Sequence, residues 1–387
     1  MALGTLTTLY EFKGTPDAAN PAANIIVDKS GDIFGGTQNG GGEGGGAVFE
    51  LTPPAVGQST WTESLAAQFS KKRSGTGLYG GVISGRHGDL YGVAGHYGAK
   101  SCGSVFEVRR TDTGFKQKTL WVFKGGPTDG CLPYSALNMD ASGALYGISA
   151  FGGASNDGTV YKVTPPVSVG APWTETVIWS FDGGVDGTGA SDQMIFDASG
   201  NLYGVSYQGG PYDDGVVWEL TPPGGGSTTW TRTVLWSFNG ADGAEPTRGP
   251  LVMLPSGALI GTCHLGGAGG RGVVFELAPP ANGQTAWTES TIWAFSGGSD
   301  GGNPTSGVAR TKHGELIVPT DDDNGAIFEL RPKAGTRSRW SKTLLWQFSG
   351  SDGSEPESPP MLLPNSVIAG TTNSGGLGYG TVWQLAW

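Results

Sequence analysis

The chain has 387 residues, of which 70 are Gly and 24 Pro, with a formal net charge of -11 and a pI near 4.8. An acidic chain with no basic cluster beyond Lys71-Lys72-Arg73 repels a phosphate backbone, which excludes a nucleic-acid partner. No apolar run approaches the ~18–20 residues that span a bilayer, so no membrane insertion is expected, while 13 Trp, 15 Phe and 11 Tyr supply a core that a disordered chain lacks.

In chain order, Leu6 to Phe12 already reads as a strand, with no signal-peptide pattern ahead of it. From there one unit recurs: Val48-Phe-Glu-Leu51, Val105-Phe-Glu-Val108, Val160-Tyr-Lys-Val163, Val217-Trp-Glu-Leu220, Val274-Phe-Glu-Leu277, Ile327-Phe-Glu-Leu330 and Val382-Trp-Gln-Leu385. These seven apolar strands start 57, 55, 57, 57, 53 and 55 residues apart. A period of that size built from short strands predicts a propeller.

The fourth repeat illustrates the predicted blade. Gln193 to Asp197 is its first strand, Asp197-Ala-Ser-Gly200 a turn, and Asn201 to Val205 its second strand. A Gly-rich loop, Ser206 to Gly215, leads to the third strand, Val216 to Leu220; Pro222-Pro223 ends it, and Trp230 to Phe238 is the fourth. Strict alternation in the preceding copy puts Trp173, Glu175, Val177, Trp179 and Phe181 on one side, which assigns the large aromatics to packing between blades. The last repeat stops after its third strand, Thr381 to Leu385, so the N-terminal strand is expected to complete it. The predicted fold is all-β: one domain over residues 1–387, a seven-bladed β-propeller of four-stranded blades in which the N-terminal strand closes the last blade.

Gly-Asn-Leu-Tyr-Gly at 200–204, the Gly-Gly loops, the Val-Phe-Glu-Leu strands and the Asp-Gly-Xaa-Xaa-Pro turns resemble the GloVer tandem repeats of bacterial secreted and surface proteins over almost the whole chain. The resemblance implies an extracytoplasmic propeller: secreted, periplasmic or at the cell surface. Two copies depart from the pattern. Ser70-Lys-Lys-Arg-Ser-Gly75 replaces the Asp-Gly turn of the second, and Leu316-Ile-Val318 replaces Leu-Tyr-Gly in the sixth.

In a four-stranded meander the loop between strands two and three and the crossover to the next blade emerge at one end, here called the top. The top collects recurrent turns containing Asp17, Asp129, Asp186, Asp242, Asp300 and Asp352. Carboxylates that accept backbone N–H groups in tight turns explain this repetition better than metal ligands do. No cofactor and no metal site is predicted; Asp321-Asp322-Asp323 is the one local cluster able to gather the several oxygens that Ca2+ requires.

Where equivalent loop residues differ, a shared backbone presents unlike chemistry around the channel. Three residues after the second-strand glycine the copies read Gln38, Gly95, Ala150, Tyr207, His264, Asp321 and Asn373. Tyr207, His264 and Asp321 fall on neighbouring blades, and Arg271 can join them from the far end of the His264 loop, a group suited to a hydroxylated or acidic ligand. Gln38, His96, Tyr97, Tyr212, Asp214 and Asn373 are candidate ligand-binding residues beside it.

The same group admits catalysis. Tyr207 or His264 could abstract the proton alpha to a uronate carboxyl while Arg271 stabilises the developing charge, as a polysaccharide lyase requires; a glycoside hydrolase would need two carboxyls, from Asp214 and the Asp321–Asp323 run. Cys102 and Cys131 fall at the top of adjoining blades and are expected to form a disulfide, which fits an oxidising compartment and leaves Cys263 unpaired. The favoured function is binding of an extended hydroxylated ligand, a glycan, by the top face of a monomer. A polysaccharide-degrading enzyme using the same wall is the second possibility, and a protein-docking scaffold with a flat, apolar top the third.

Overall fold

A computed structural model describes residues 4–21, 23–72, 74–168, 170–188, 193–225, 227–246, 249–281, 284–333 and 339–387; Arg73 of the basic run and of the departing second-repeat turn lies outside them. Seven antiparallel four-stranded sheets stand around an axis as the blades of a propeller. In blade 1 they run outward as Ile26–Val27, Ile33–Gly36, Ala47–Thr52 and Thr62–Gln68. The third strands of blades 2 to 6 are Ser104–Thr111, Thr159–Thr164, Val216–Thr221, Val273–Ala278 and Ala326–Pro332. Blade 7 takes Met361–Leu363, Val367–Thr372 and Thr381–Ala386 from the C-terminal end and Thr5–Glu11 from the N-terminal end, paired from Thr5 opposite Ala386 to Glu11 opposite Thr381. The expected closure by the N-terminal strand is therefore present.

Innermost strands are shorter than the sequence suggests: in blade 4 only Ile195–Phe196 pairs, not Gln193 to Asp197. They have a ladder partner on one side only, and the residues before them bend away to line the channel mouth.

One contact repeats around the ring. The Phe that ends each outer strand packs on the aromatic residue in the third strand of the next blade: Phe12 on Phe49, Phe69 on Phe106, Phe123 on Tyr161, Phe181 on Trp218, Phe238 on Phe275, Phe295 on Phe328 and Phe348 on Trp383. These rings are buried, at 4.6 to 6.1 Å between centroids. The far end of the third-strand ring fills the space beside the second-strand glycine, which explains the Leu-Tyr-Gly motif: a Cβ on Gly204 would sit 2.5 Å from Trp218 Cζ2. In blade 6, where Val318 stands in the glycine's place, the Phe328 ring lies against Gly301 and its pair is the widest of the seven, 6.1 Å. Gly204→Ala is expected to destabilise the protein by about 1–3 kcal/mol through overpacking. A thermal melt unchanged by the substitution would show that the Trp218 ring can step aside.

Strict alternation fails in the outer strands. Val160 faces Trp179 while Tyr161 faces Val177, so Ile178 is a bulged extra residue, and each of the seven outermost pairings carries the same register shift. The bulge changes the side-chain parity. Trp173 therefore packs with Tyr161 and Val163 towards blade 2, whereas Trp179 and Phe181 pack towards blade 4, correcting the single face predicted for all three.

The recurrent aspartates act within their turns. Asp17 accepts the Lys13 N–H at 2.9 Å and the Tyr10 hydroxyl at 3.0 Å, Asp129 the Lys124 N–H at 2.9 Å, and Asp352 the Ser349 N–H at 2.8 Å and the Trp346 indole at 2.9 Å. Asp300 likewise accepts the Ser296 N–H at 2.9 Å, and Asp186 and Asp300 pair in addition with Arg232 and Lys342 from the next outer strand. There the cation replaces the indole, and Trp179 Nε1 and Trp293 Nε1 are left buried without a hydrogen-bond partner. Blades 1, 3 and 5 carry Glu63, Glu175 and Glu289 where blades 4 and 6 carry these cations, so carboxyl faces carboxyl with Asp17, Asp129 and Asp242.

Candidate functional site

At the top of the channel lies a cavity of about 490 Å³. Two sets of backbone positions supply its walls. The first is the register position at the top ends of the second strands, and it brings Tyr207, His264 and Asp321 to one cavity, with His96 from the second-blade loop. The second is the crossover position three residues before the residue opposite the second-strand glycine, which contributes Tyr79, Tyr134, Thr305 and Glu357. By register the remaining copies of that position are Ala22, Ser191 and Arg248, which lie outside the described residues. The candidates named above did not include the crossover set. A signal was present, because Tyr134, Thr305 and Glu357 each follow the turn aspartate by five residues.

The two sides of the mouth differ. On the arc of blades 2 and 3, Tyr79, His96 and Tyr134 form an edge-to-face cluster with centroids 5.1 to 5.5 Å apart, and the Tyr134 hydroxyl lies 3.3 Å from His96 Nε2. Burial pushes the His96 pKa down, which favours the neutral ring. On the arc of blades 5 to 7 stand His264, Asp321 and Glu357. His264 Nδ1 is 3.2 Å from the Pro304 carbonyl oxygen. A carbonyl only accepts, so Nδ1 donates to it and Nε2 is the ring nitrogen left to face the cavity. The Asp321 carboxyl is pushed up to about 6, first by burial and then by the negative charge of Glu355, with Asp322 adding and His264 opposing.

Residues in the left-handed region just before a proline hold this wall. Asn303 (φ 53°) donates from Nδ2 to the His264 carbonyl at 3.1 Å, and Glu245 (φ 56°) accepts the Tyr207 hydroxyl at 2.6 Å. A non-glycine residue in that conformation stores strain, and here it aims side chains at a loop of the preceding blade.

Other candidates lie apart. Arg271 does not line the cavity: its guanidinium lies 3.7 Å from Asp322 and donates to Asn303 Oδ1 at 3.2 Å, which draws it away from the group in which the sequence placed it. The carboxyls of Asp321–Asp323 diverge accordingly, Asp321 to the cavity and Asp322 to Arg271. Among the described residues no three His, Cys, Asp or Glu are grouped to hold a metal ion. Gln38 and Asn373 stand outside the cavity lining; Asn373 Nδ2 donates to Glu355 at 3.3 Å. Asp214 is likewise outside, its carboxyl pushed up by burial and by Asp242, Asp213 and Glu245. Tyr97 and Tyr212 are exposed on the rim. The Cys102–Cys131 disulfide ties the His96 loop to the Tyr134 crossover, and Cys263 is free and buried.

These features define a seven-bladed β-propeller with a cavity of mixed aromatic and acidic character at its channel mouth. The chain belongs to the Gloeobacter/Verrucomicrobia repeat family, whose model matches residues 1–193 and 139–383. No curated protein matches it in sequence. Among solved structures it is similar to the periplasmic gluconolactonase of Pseudomonas aeruginosa, at 16% identity over 84% of this chain and 86% of that one, with a TM-score of 0.51. A proposed 6-phosphogluconolactonase of Bacteroides fragilis is similar at 13% identity over 85% and 86%, with a TM-score of 0.53. Another from Bacteroides uniformis shows 12% identity over 88% of each chain and a TM-score of 0.53. At these identities the likeness is one of fold.

Proposed function

We propose that the protein is an extracytoplasmic glycan-binding propeller whose top-face cavity takes a polyhydroxylated ligand. The observation that carries this is the division of the cavity wall: the Tyr79, His96 and Tyr134 rings on one side, His264, Asp321 and Glu357 on the other. A sugar ring has an apolar C–H face, which packs on aromatic rings, and an edge of hydroxyls, which donate to carboxylates and to an unprotonated imidazole nitrogen. A protein-docking face would be flat and apolar, whereas this mouth is concave and lined by polar groups. The Cys102–Cys131 disulfide supports an oxidising compartment.

One observation favours turnover as a second function of the same wall. His264 turns Nε2 to the cavity beside Asp321, whose carboxyl burial pushes up to about 6, and an imidazole next to a raised carboxyl is a pairing that acid–base catalysis on a bound polysaccharide uses. Arg271 is not in position to neutralise a uronate there.

Purified protein titrated with neutral and uronic oligosaccharides tests both. Binding is expected, with Tyr134→Ala weakening it roughly three- to tenfold. Absence of binding across the panel would remove the glycan assignment. Unsaturated products or new reducing ends that vanish in His264→Ala would make the protein an enzyme.

A further inference from the structure

Among the described residues five aromatic side chains are more than a third exposed: Tyr97 (48%), Phe151 (47%), Tyr207 (38%), Tyr212 (64%) and Tyr379 (43%). All five sit at the top, in the loops that join second to third strands or, for Phe151, at the end of the second strand itself. We infer that the top face binds a polysaccharide over several units, one in the cavity and those behind it over Tyr97, Phe151 and Tyr212. This rests on the glycan assignment and specifies how much of the chain is held and along which arc.

Continuity with the cavity is the first support. Tyr97 is next to His96, with ring centroids 6.2 Å apart; Phe151 stands on blade 3, whose crossover brings Tyr134; and Tyr212 shares its loop with Tyr207. An aromatic arc thus leads outward across blades 2, 3 and 4. Blades 5 and 6 contribute His264 and Asp321 to the cavity but no exposed aromatic ring among the described residues, so the arc has one direction. Tyr379 on blade 7 is not part of it, because its ring covers Gly14, where a Cβ would meet it at 2.8 Å.

Size supplies the second support. A cavity of about 490 Å³ lies within the ~300–1,000 Å³ range of small-ligand sites and cannot contain a polymer, so any longer chain must pass over the rim. The rim rings stand one on each of blades 2, 3 and 4, and no ring contact joins Tyr97, Phe151 and Tyr212 to one another among the described residues. Separate rings offer stacking places one sugar at a time, whereas a protein partner would use one continuous apolar patch. Tyr97 is further steadied by the Lys71 ammonium 5.1 Å from its ring centre.

Calorimetry with matched di- and hexasaccharides of glucose, mannose, xylose and galacturonic acid tests the inference. In at least one series the hexasaccharide is expected to bind more than tenfold tighter than the disaccharide. Tyr97→Ala, Phe151→Ala and Tyr212→Ala are each expected to weaken the hexasaccharide roughly three- to tenfold and to leave the disaccharide unchanged, which also verifies that the variants are folded. Equal affinity for both lengths overturns the inference while leaving cavity binding in place. A length gain that survives all three substitutions overturns it too and returns the rings to a protein-contact role. Failure of every series to bind overturns both the inference and the glycan assignment.

Discussion

Phe12→Ala is expected to lower stability by about 3–5 kcal/mol, the range for truncating a fully buried phenylalanine. Phe12 packs edge-to-face on Phe49 at 5.1 Å and on Tyr10 at 5.3 Å, so its loss leaves a void between blades 7 and 1. Its strand is the fourth member of a blade whose other three come from the opposite end of the chain, so the damage falls on the contact that closes the ring. Deleting residues up to Phe12 goes further and exposes Thr381–Ala386 as an unpaired apolar edge, which promotes association between molecules. Thermal melts and size-exclusion chromatography check this, with a peptide of residues 4–12 added in trans expected to restore the melt. A truncated protein that melts and elutes like the full chain would mean that the N-terminal strand does not close the ring.

Stability is also expected to fall as pH rises from about 4.5 to about 8. Burial raises the Glu175 carboxyl to about 8 and that of Glu289 to about 7 from an ordinary 4.5, with Asp129 and Asp242 adding repulsion; Glu63 is raised in the same way, by burial and then by Asp17. A raised folded-state value means that the folded protein holds more protons than the unfolded chain throughout that window. The contribution is complete below 4.5 and is lost as each group ionises. All three side chains are only half-buried, so solvent screening limits each to about 1 kcal/mol. Asp140, Asp300 and Glu315 are held below their ordinary values by hydrogen bonds and cations, and oppose this trend only at more acid pH. Urea midpoints at pH 5 and pH 8.5 measure the effect, and Glu175→Gln should flatten the profile most. A midpoint that rises with pH would contradict the carboxyl pairing.

The architecture was legible because the repeated unit contains a four-residue strand, a glycine forced by the ring above it, and a turn, all at one period. Seven copies of that pattern determine the blade count without any knowledge of the loops between. Local details failed where the pattern is two-fold ambiguous. Ile178 is apolar, as are its neighbours Val177 and Trp179, so a bulge that shifts parity leaves the composition of both faces apolar and cannot be seen in it. Tyr207, His264 and Asp321 were visible as unlike residues at one loop position. Tyr79, Tyr134 and Glu357 are hidden because the crossovers share little beyond a turn aspartate, which the second blade lacks, and the residues that follow it vary from copy to copy. The direction of Arg271 is set by Asp322 and Asn303 of the adjacent blade, a contact between segments that no one-repeat pattern encodes.

The ring of seven aromatic pairs treats its seam as it treats every other joint: Phe12 meets Phe49 edge-to-face as Phe238 meets Phe275, both at 5.1 Å. Geometry alone therefore gives no blade a privileged first place. Where the polypeptide starts is a matter of gene order, and a chain rejoined and reopened at another crossover would meet the same seven joints in a different sequence.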